Sequence, residues 1–253
     1  MNTSLEHKEK FDKEFYTLHD EKGCNYGFLM DSIPDEIISE FNHIESYIKS
    51  NFDSAERFNY ELAGVIEKEY KVEFSKNIKD YIIQLVHFYE SKSKGLLKQR
   101  MLNIPAKNNA DFIRNNEGKQ LSNFSIPKLC FDQPWVNFQK KYEYNPLHDH
   151  RGVISLVVWH RIPFTNEEED NYAKSKGYNL EQTSNGAFNF VTSNNGISQH
   201  SLRIDKNMQG SIALFPSDLF HFVNPFYTSD EYRVTFSCNL LYKDLTTKFE
   251  FVD

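Results

Sequence analysis

Residues 145–159, NPLHDHRGVISLVVW, place a pair of histidines directly before a continuous apolar run. The run VISLVVW is typical of a strand that is buried on both faces. In an extended chain the side chains at positions i and i+2 point to the same side, so His148 and His150 can bind one metal ion while Asp149 points away. A His-x-His pair alone is weak evidence for a metal site, because two surface histidines near a turn give the same pattern.

Patterns typical of strands continue on both sides of this stretch. Residues 135–144, WVNFQKKYEY, alternate between apolar and polar side chains, as a half-buried strand does. Further strands are predicted over residues 187–192, 211–215 and 232–241. Many short strands separated by Gly, Pro and Asn turns indicate a β-sandwich or a jelly roll for residues 125–253.

The first part of the chain, residues 1–124, has the spacing of helices instead. Apolar residues recur every three or four positions in a first helix that begins near Ser32, a second over residues 55–70 and a third that starts from Ser75. These apolar faces are expected to pack on the sheet that follows. The predicted fold is therefore α+β, with a helical N-terminal region packed on a β core.

An acidic, hydrophilic insertion follows the apolar strand. Its sequence, NEEEDNYAKSKGYNLEQTSNG, lies within residues 165–186. So many charges favour a solvated loop, and a mobile lid over a substrate is the alternative. The polar, Asn-rich residues 101–123 are predicted to be a connector or a loop over a site.

A third histidine, His221, follows a predicted turn at residues 216–218. A jelly roll brings distant strands together, so His221 can join the two earlier histidines at one metal ion. Three ligands on one face leave the opposite positions open for a co-substrate and oxygen, and divalent iron or another metal that binds imidazole fits such a set. A ligand set without cysteine also argues against a structural zinc site.

One charged residue, Arg233, interrupts an apolar strand pattern in EYRVTFSCNL. Strand alternation puts Arg233, Thr235 and Ser237 on one face. A buried guanidinium is costly without an anion, and a dicarboxylate would meet that cost with a bidentate pair. An internal salt bridge is the alternative, and Arg233 alone does not decide between the two.

Composition restricts the class of protein. The chain has 253 residues and a net charge of −7, which disfavours binding to nucleic acid. Three cysteines lie far apart without a CxxC pair, so thiols in a reducing cytosol are expected. The first residues lack the apolar core of a secretory signal, and no apolar run could span a membrane. These features predict a cytoplasmic protein without a membrane partner.

Taken together, these motifs resemble the 2-oxoglutarate/Fe(II)-dependent oxygenases. The nearest group is that of uncharacterised oxygenase-like proteins common in tailed phages and some bacteria. The stretches that carry the resemblance are NPLHDH (145–150), FPSDLFH (215–221) and EYRVTFS (231–237), and NYELAGVIEKEY (59–70) is also similar. The combination is specific, although each piece alone is not.

The resemblance implies a double-stranded β-helix core and an enzyme that uses Fe(II), 2-oxoglutarate and O2. Such an enzyme oxidises its substrate, often by hydroxylation, and releases succinate and CO2. Arg233 and Thr235 match the residues that bind the distal carboxylate of 2-oxoglutarate. Asn137 and Gln139 are candidates for the same co-substrate pocket.

The metal ligands depart from the family pattern at one position. His148 and His221 match the two family histidines, but His150 stands where the family usually has Asp or Glu. We favour the set His148, His150 and His221 on the i, i+2 geometry, with Asp149 as the alternative ligand. A third neutral imidazole would leave more positive charge on the metal.

Two other functions remain compatible with the residues. A cupin-like protein could use the three histidines for a metal without 2-oxoglutarate, and it would pair Arg233 internally. A non-catalytic jelly-roll binding protein would not bring the histidines together. The substrate, whether a small molecule or a protein side chain, is not readable from the sequence.

Overall fold

The computed structural model describes residues 12–18, 26–93, 129–181, 183–193 and 196–242. Its strands are β1 (Glu14–Leu18), β2 (Tyr26–Ser32), β3 (Lys68–Lys71), β4 (Leu129–Phe131), β5 (Trp135–Gln139), β6 (Asn145–His148), β7 (Ile154–Arg161), β8 (Phe188–Thr192), β9 (Ser198–Leu202), β10 (Ser211–Pro216), β11 (Phe220–Val223) and β12 (Arg233–Tyr242). Its helices are α1 (Asp35–Ser50), α2 (Lys76–Lys92) and α3 (Asn166–Ser175), with short 3-10 helices at Asn59–Glu61 and Lys206–Met208.

The strands form two antiparallel sheets. The larger sheet has the order β1-β2-β10-β7-β12-β5-β3, with β4 also paired to β12, and the smaller sheet has the order β6-β11-β8-β9. Aromatic residues from both sheets share one apolar cluster, in which the ring centroids of Phe188 and Phe215 are 5.7 Å apart. The predicted α+β fold with a double-stranded β-helix core is confirmed.

Alternation along the central strands separates two apolar layers. On β7, Leu156 and Val158 face the helices, whereas Val157 and Trp159 face the smaller sheet. The same alternation on β12 leaves Arg233, Thr235 and Ser237 lining the space between the sheets, as the sequence predicts. Because side chains in a strand alternate between faces, one strand supplies both the core and the site.

Helices α1 and α2 cover the outer face of the larger sheet. Phe41 of α1 packs on Phe236 of β12 with 4.8 Å between ring centroids. Helix α2 begins as predicted, because the Ser75 hydroxyl accepts a hydrogen bond from the Ile78 backbone N–H. The start predicted for α1 is wrong: Ser32 ends β2, so the helix begins only at Asp35.

The helix predicted over residues 55–70 is wrong. After a short 3-10 turn the chain runs extended into β3, which pairs with β5. Edge pairing with β5 outweighs the four-residue apolar spacing, which is only a weak local preference. Gly64 fits this path, because an added Cβ would lie 2.8 Å from Glu69 Oε1.

The N-terminal region is not helical throughout, since it supplies β1, β2 and β3 to the larger sheet. β2 pairs with β10 of the core, so the region extends the sheet as well as covering it. The boundary at residues 124 and 125 stays a prediction, and the connector at 101–123 lies outside the described residues. None of the described helices is long and apolar enough to cross a membrane.

The acidic insertion is a helix for much of its length rather than a solvated loop. Thr165 and Glu168 form a capping box at the start of α3, which satisfies orphan N–H donors of the first turn. Glu169 is fully buried and accepts hydrogen bonds from the backbone N–H groups of Tyr227 and Thr228. The same acidic residues that suggested a loop therefore anchor this helix to the core.

Candidate metal centre

Three histidines meet at the end of the smaller sheet. His148 on β6 pairs in register with His221 on β11, and His150 follows two residues later. One ligand atom from each of the three lies within 4.8 Å of the other two. The predicted convergence of these side chains is therefore what the structure shows, although residues 148 and 221 are far apart in sequence.

Backbone carbonyls orient two of the imidazoles. His148 Nδ1 lies 2.7 Å from the Pro146 carbonyl oxygen, and His221 Nδ1 lies 2.9 Å from the Leu219 carbonyl oxygen. Because a carbonyl oxygen only accepts, each Nδ1 carries the proton and donates it. Each Nε2 then has its lone pair available for a cation, which is how metal-binding histidines are commonly held.

Burial keeps the three imidazoles neutral. It lowers the pKa of His148, and it lowers the pKa of His150 to about 3, with a smaller contribution from His148. Burial also holds the pKa of His221 well below its ordinary value, aided by the two neighbouring imidazoles. A histidine must be neutral to bind a metal, so this cluster needs no proton loss near neutral pH.

The alternative ligand, Asp149, is exposed and lies outside the three-histidine group. Its carboxylate acts on the site only at a distance, by raising the pKa of His148 slightly against the effect of burial. The residue order i, i+2 thus places the imidazoles inward and the carboxylate outward, as extended geometry requires.

A pocket between the sheets connects the histidines to Arg233. It encloses about 650 Å³, counting the part that is open to solvent. The ring centroids of His150 and Trp135 are 5.8 Å apart, and Trp135 pairs with Ser237. Arg233 lies four residues before Ser237 on the same strand, about 13 Å away. The metal group and the guanidinium therefore lie at opposite ends of one pocket.

Neutral groups surround the Arg233 guanidinium. Its Nε donates to Gln139 Oε1 at 3.0 Å and its Nη1 donates to the Gly186 carbonyl oxygen at 2.7 Å. Arg233 is 2% exposed, and no ion pair joins it to a carboxylate of the described residues. Burial lowers the pKa of Arg233 to about 9, although nearby Glu169 opposes this.

Among the residues that the structure describes, Glu169 is the acidic group whose charge acts on Arg233, and one of its oxygens is already hydrogen-bonded. Glu169 Oε1 accepts hydrogen bonds from both backbone N–H groups named above and from the Thr228 hydroxyl at 2.7 Å. This oxygen therefore binds the loop at Tyr227 and Thr228 rather than the guanidinium. Arg233 remains a buried cation that faces the pocket without a contact anion, which is a costly arrangement unless a ligand supplies one.

The remaining predicted co-substrate residues also line the pocket. Thr235 pairs with Asn137, and Arg233 pairs with Gln139, across strands β12 and β5. Gln139 contacts the guanidinium directly, so it orients Arg233. The Asn137 carboxamide oxygen is buried without a hydrogen-bond partner in the described part of the chain.

Glu69 is a pocket residue that the sequence did not predict. Glu69 on β3 is fully buried and lines the pocket, but it falls in the stretch predicted as a helix. Strand periodicity over EKEYK would have placed it beside Asn137. His160 on β7 is also buried, and its Nε2 lies 2.9 Å from Glu45 Oε2, so it belongs to the contact with α1.

Comparison with known families decides the assignment. Residues 133–239 match the model of a family described as "Putative 2OG-Fe(II) oxygenase". This part of the chain is similar to the 2OG-Fe(II) oxygenase family. The match spans the histidines, the pocket strands and Arg233. The oxygenase is thus an enzyme that uses Fe(II), 2-oxoglutarate and O2, as the resemblance predicted. No curated protein matches the chain.

Solved structures of oxygenases are similar to it at low identity. A Pseudomonas putida prolyl-4-hydroxylase has 10% identity and a TM-score of 0.48, over 86% of this chain and 94% of that one. A 2OG-Fe(II) oxygenase family oxidoreductase from Burkholderia pseudomallei has 8% identity and a TM-score of 0.43, over 86% and 85%. HygX from Streptomyces hygroscopicus, solved with nickel, 2-oxoglutarate and hygromycin B, has 10% identity and a TM-score of 0.41, over 90% and 86%.

Proposed function

We propose that the oxygenase binds Fe(II) through His148, His150 and His221, binds the distal carboxylate of 2-oxoglutarate through Arg233 and Thr235, and oxidises an unidentified substrate. The observation that carries this assignment of roles is the buried guanidinium, which faces three neutral imidazoles across a single pocket. A diacid with one end at a metal and the other at Arg233 satisfies both ends at once.

The donor set fits an iron ion. Three imidazole nitrogens on one side leave the other coordination positions for a chelating keto acid and for O2. Hydrogen bonds to the Pro146 and Leu219 carbonyl oxygens fix the His148 and His221 rings. Little side-chain entropy is therefore lost when a metal binds. Three neutral ligands leave the full dipositive charge at the metal, which favours an anionic co-substrate beside it.

The far end of the pocket fits a carboxylate. Arg233 and Thr235 lie on one face of β12, two residues apart. Gln139 and the Gly186 carbonyl hold the guanidinium plane in place. Strand positions 233 and 237 are about 13 Å apart. The Arg233 side chain takes up part of this distance, and the space left between the guanidinium and the histidines has room for a five-carbon diacid.

Bound Fe(II) with 2-oxoglutarate and O2 supplies the oxidising chemistry, with succinate and CO2 as co-products. The protein's part is to hold the diacid in one orientation and to keep water out. Trp159, Phe188 and Phe215 form apolar walls of the pocket. Such walls strengthen the charge–charge contacts at both ends by excluding water.

An anaerobic titration tests the proposal. Fe(II) is added to the chain with and without 2-oxoglutarate, and a visible charge-transfer band is followed. We expect the band only when both are present, and succinate formation when air is admitted. His221→Ala should abolish both signals, whereas His87→Ala, which changes an exposed histidine of α2, should leave them unchanged. Iron binding without any response to 2-oxoglutarate would favour the cupin-like alternative.

We further propose a cytoplasmic location, a relationship to phage and bacterial oxygenase-like proteins, and a small molecule or a protein side chain as the substrate. A cytoplasmic location is supported by the thiol state of Cys130 and Cys238, while Cys24 lies outside the described residues. Similarity to phage and bacterial oxygenase-like proteins is supported by the quoted motifs alone. A substrate that is a small molecule or a protein side chain is supported by the pocket's size, and nucleic acid is disfavoured by the net charge of −7.

A further inference from the structure

We propose that Glu69, with the side-chain oxygens of Asn137 and Asn145, binds an ammonium group of the substrate. The inference rests on the proposed function for one point, that the pocket between the sheets is where the substrate is oxidised. It adds the chemical class of the group that the pocket recognises.

Three oxygens in the pocket wall have no hydrogen-bond donor. Glu69 Oε1, Asn137 Oδ1 and Asn145 Oδ1 are all buried atoms without a partner among the residues that the structure describes, and all three residues line the same pocket. Glu69 has no exposed surface at all, and Asn137 is 7% exposed. Buried polar atoms are nearly always satisfied, so this group of acceptors indicates a ligand that brings donors.

The fold places these acceptors beside the proposed path of 2-oxoglutarate. Glu69 pairs with Asn137, and Asn137 pairs with Thr235. The three therefore form a row across β3, β5 and β12, with Glu69 about 10 Å from Thr235. Asn145 comes from β6 of the opposite sheet. A molecule that enters beside the co-substrate would contact this row.

The segment before β3 closes the pocket on the same side. The Val65 backbone N–H donates to the Tyr144 carbonyl oxygen at 2.9 Å, which ties residues 62–66 to the start of β6. Leu62 and Ile66 line the pocket beside Glu69. The acceptors therefore lie beside apolar side chains in a buried part of the pocket, where a charge is strongly attracted to an opposite charge.

An ammonium group matches this set better than other ligands. It has three N–H donors, no acceptor and a positive charge, against three acceptor oxygens of which one belongs to an acid. Burial, with a smaller contribution from Glu143, raises the pKa of Glu69 to about 8. A cation in contact would favour the carboxylate form. Asn59 Nδ2 already donates to Glu69 Oε2 at 3.2 Å, so Oε1 is the oxygen left for the ligand.

A purely structural role does not account for Glu69. Among the described residues its side chain has a single hydrogen bond, from Asn59, and the Asn59 side chain also donates to the Ile66 carbonyl oxygen. Burying an acid with an unsatisfied oxygen costs stability, and an apolar residue would fill the same space without that cost. Gly64 leaves room for the carboxylate, since a Cβ there would lie 2.8 Å from Oε1.

The experiment compares n-butylammonium with its neutral analogue 1-butanol. Ligand-observed NMR titrations of the full metal-free chain give Kd for each. We expect the wild type to prefer butylammonium by about tenfold or more, as charge-assisted bonds in a buried site allow. Glu69→Gln should abolish the preference. Glu73→Gln, which removes an exposed charge nearby, should keep it. No preference in the wild type, or a preference retained in Glu69→Gln, would overturn the proposal.

A second variant covers the case in which Glu69→Gln does not fold. Glu69→Asp keeps the charge but withdraws it by one methylene, and it should retain the preference for the cation with weaker binding. Equal binding of the two ligands to Glu69→Asp, with a folded far-ultraviolet circular dichroism spectrum, would count against the proposal. A capped lysine, Nα-acetyl-lysine N-methylamide, is titrated in parallel to distinguish an ammonium on a peptide from one on a small molecule.

These titrations need neither iron nor 2-oxoglutarate, so the two proposals can fail separately. Glu69-dependent binding of butylammonium in a chain that binds no iron would leave the ammonium site standing, but it would end the proposed function and with it the assignment of that ammonium group to an oxidised substrate. Iron- and 2-oxoglutarate-dependent succinate formation in a chain without preference for the cation would do the reverse.

Discussion

Gln139 and Arg233 face each other across β5 and β12, and the Gln139 carboxamide oxygen accepts a hydrogen bond from Arg233 Nε at 3.0 Å. This contact orients the guanidinium without neutralising it. A carboxylate at position 139 would have nearly the same shape but would form an internal ion pair. Because residue 139 carries an amide and not a carboxylate, Arg233 remains available to an external anion.

Gln139→Glu should weaken 2-oxoglutarate binding by about tenfold or more, because the new carboxylate competes with the co-substrate for a buried cation. Fe(II) affinity, governed by the other end of the pocket, should change little. Calorimetric titration of each ligand under argon measures both. Unchanged 2-oxoglutarate affinity in this variant would mean that Arg233 does not bind the co-substrate.

Arg233→Met should abolish detectable 2-oxoglutarate binding while leaving the fold intact. Removing a buried cation that has no contact anion relieves a desolvation cost, so the variant should be as stable as the wild type or more so. Chemical denaturation monitored by fluorescence of Trp135 and Trp159 gives the free energy of unfolding. A loss of several kcal/mol would show that the guanidinium is needed for structure rather than for a ligand.

The ligand set can be tested at adjacent positions. His150→Ala should lower Fe(II) affinity by about 100-fold, whereas Asp149→Asn should change it by less than about twofold, since second-order effects of an exposed charge are small. Equilibrium dialysis with metal analysis measures both. The opposite ranking would make Asp149 the third ligand and restore the usual family pattern of a carboxylate.

Stability should depend on pH through Glu69. Its pKa is raised from 4.5 to about 8 in the folded chain by burial and, to a smaller extent, by Glu143. The folded state therefore holds a proton that the unfolded state releases above pH 4.5, and this contribution to stability is lost as the pH rises toward 8. Glu69→Gln removes the effect, so its stability relative to the wild type should rise by up to about 1.4 kcal/mol per pH unit in that window.

The matching measurement is urea denaturation of both chains at pH 5, 6, 7 and 8 without ligand. The charge of Glu143, in the β5–β6 turn, acts on Glu69, and the three histidines and Arg233 line the same pocket as Glu69. Glu143→Gln is therefore the control for a change in the field around Glu69. A stability difference that stays flat across the series would mean that the Glu69 pKa is ordinary.

The sequence predicted much of the site because the site follows strand alternation. His148 and His150 share a side, and Arg233 and Thr235 share a face, for the same geometric reason. Strand alternation alone does not bring His221 to His148 and His150. That prediction depended on the jelly roll, which places distant strands side by side. The helix predicted over residues 55–70 is wrong, because a four-residue apolar spacing suits a helix, whereas pairing with β5 makes the end of this stretch extended.

Glu69 shows why the remaining part of the site could not be predicted. Its burial depends on the position of β3 at the sheet edge and on the segment around Gly64 that covers it. Helix α3 was not predicted for a related reason: Glu169 looks like a solvated charge in the sequence, but backbone N–H groups at Tyr227 and Thr228 donate to one of its oxygens. Both are buried acids whose burial depends on distant parts of the chain.

The most direct test of the proposed site is a crystal structure from crystals grown under argon with Fe(II) and 2-oxoglutarate. Iron anomalous scattering locates the metal, and the electron density locates the diacid. We expect iron to be bonded to Nε2 of His148 and His221 and to the His150 imidazole. The distal carboxylate should contact the Arg233 guanidinium. Iron elsewhere, or a diacid that does not contact Arg233, would contradict the proposed site.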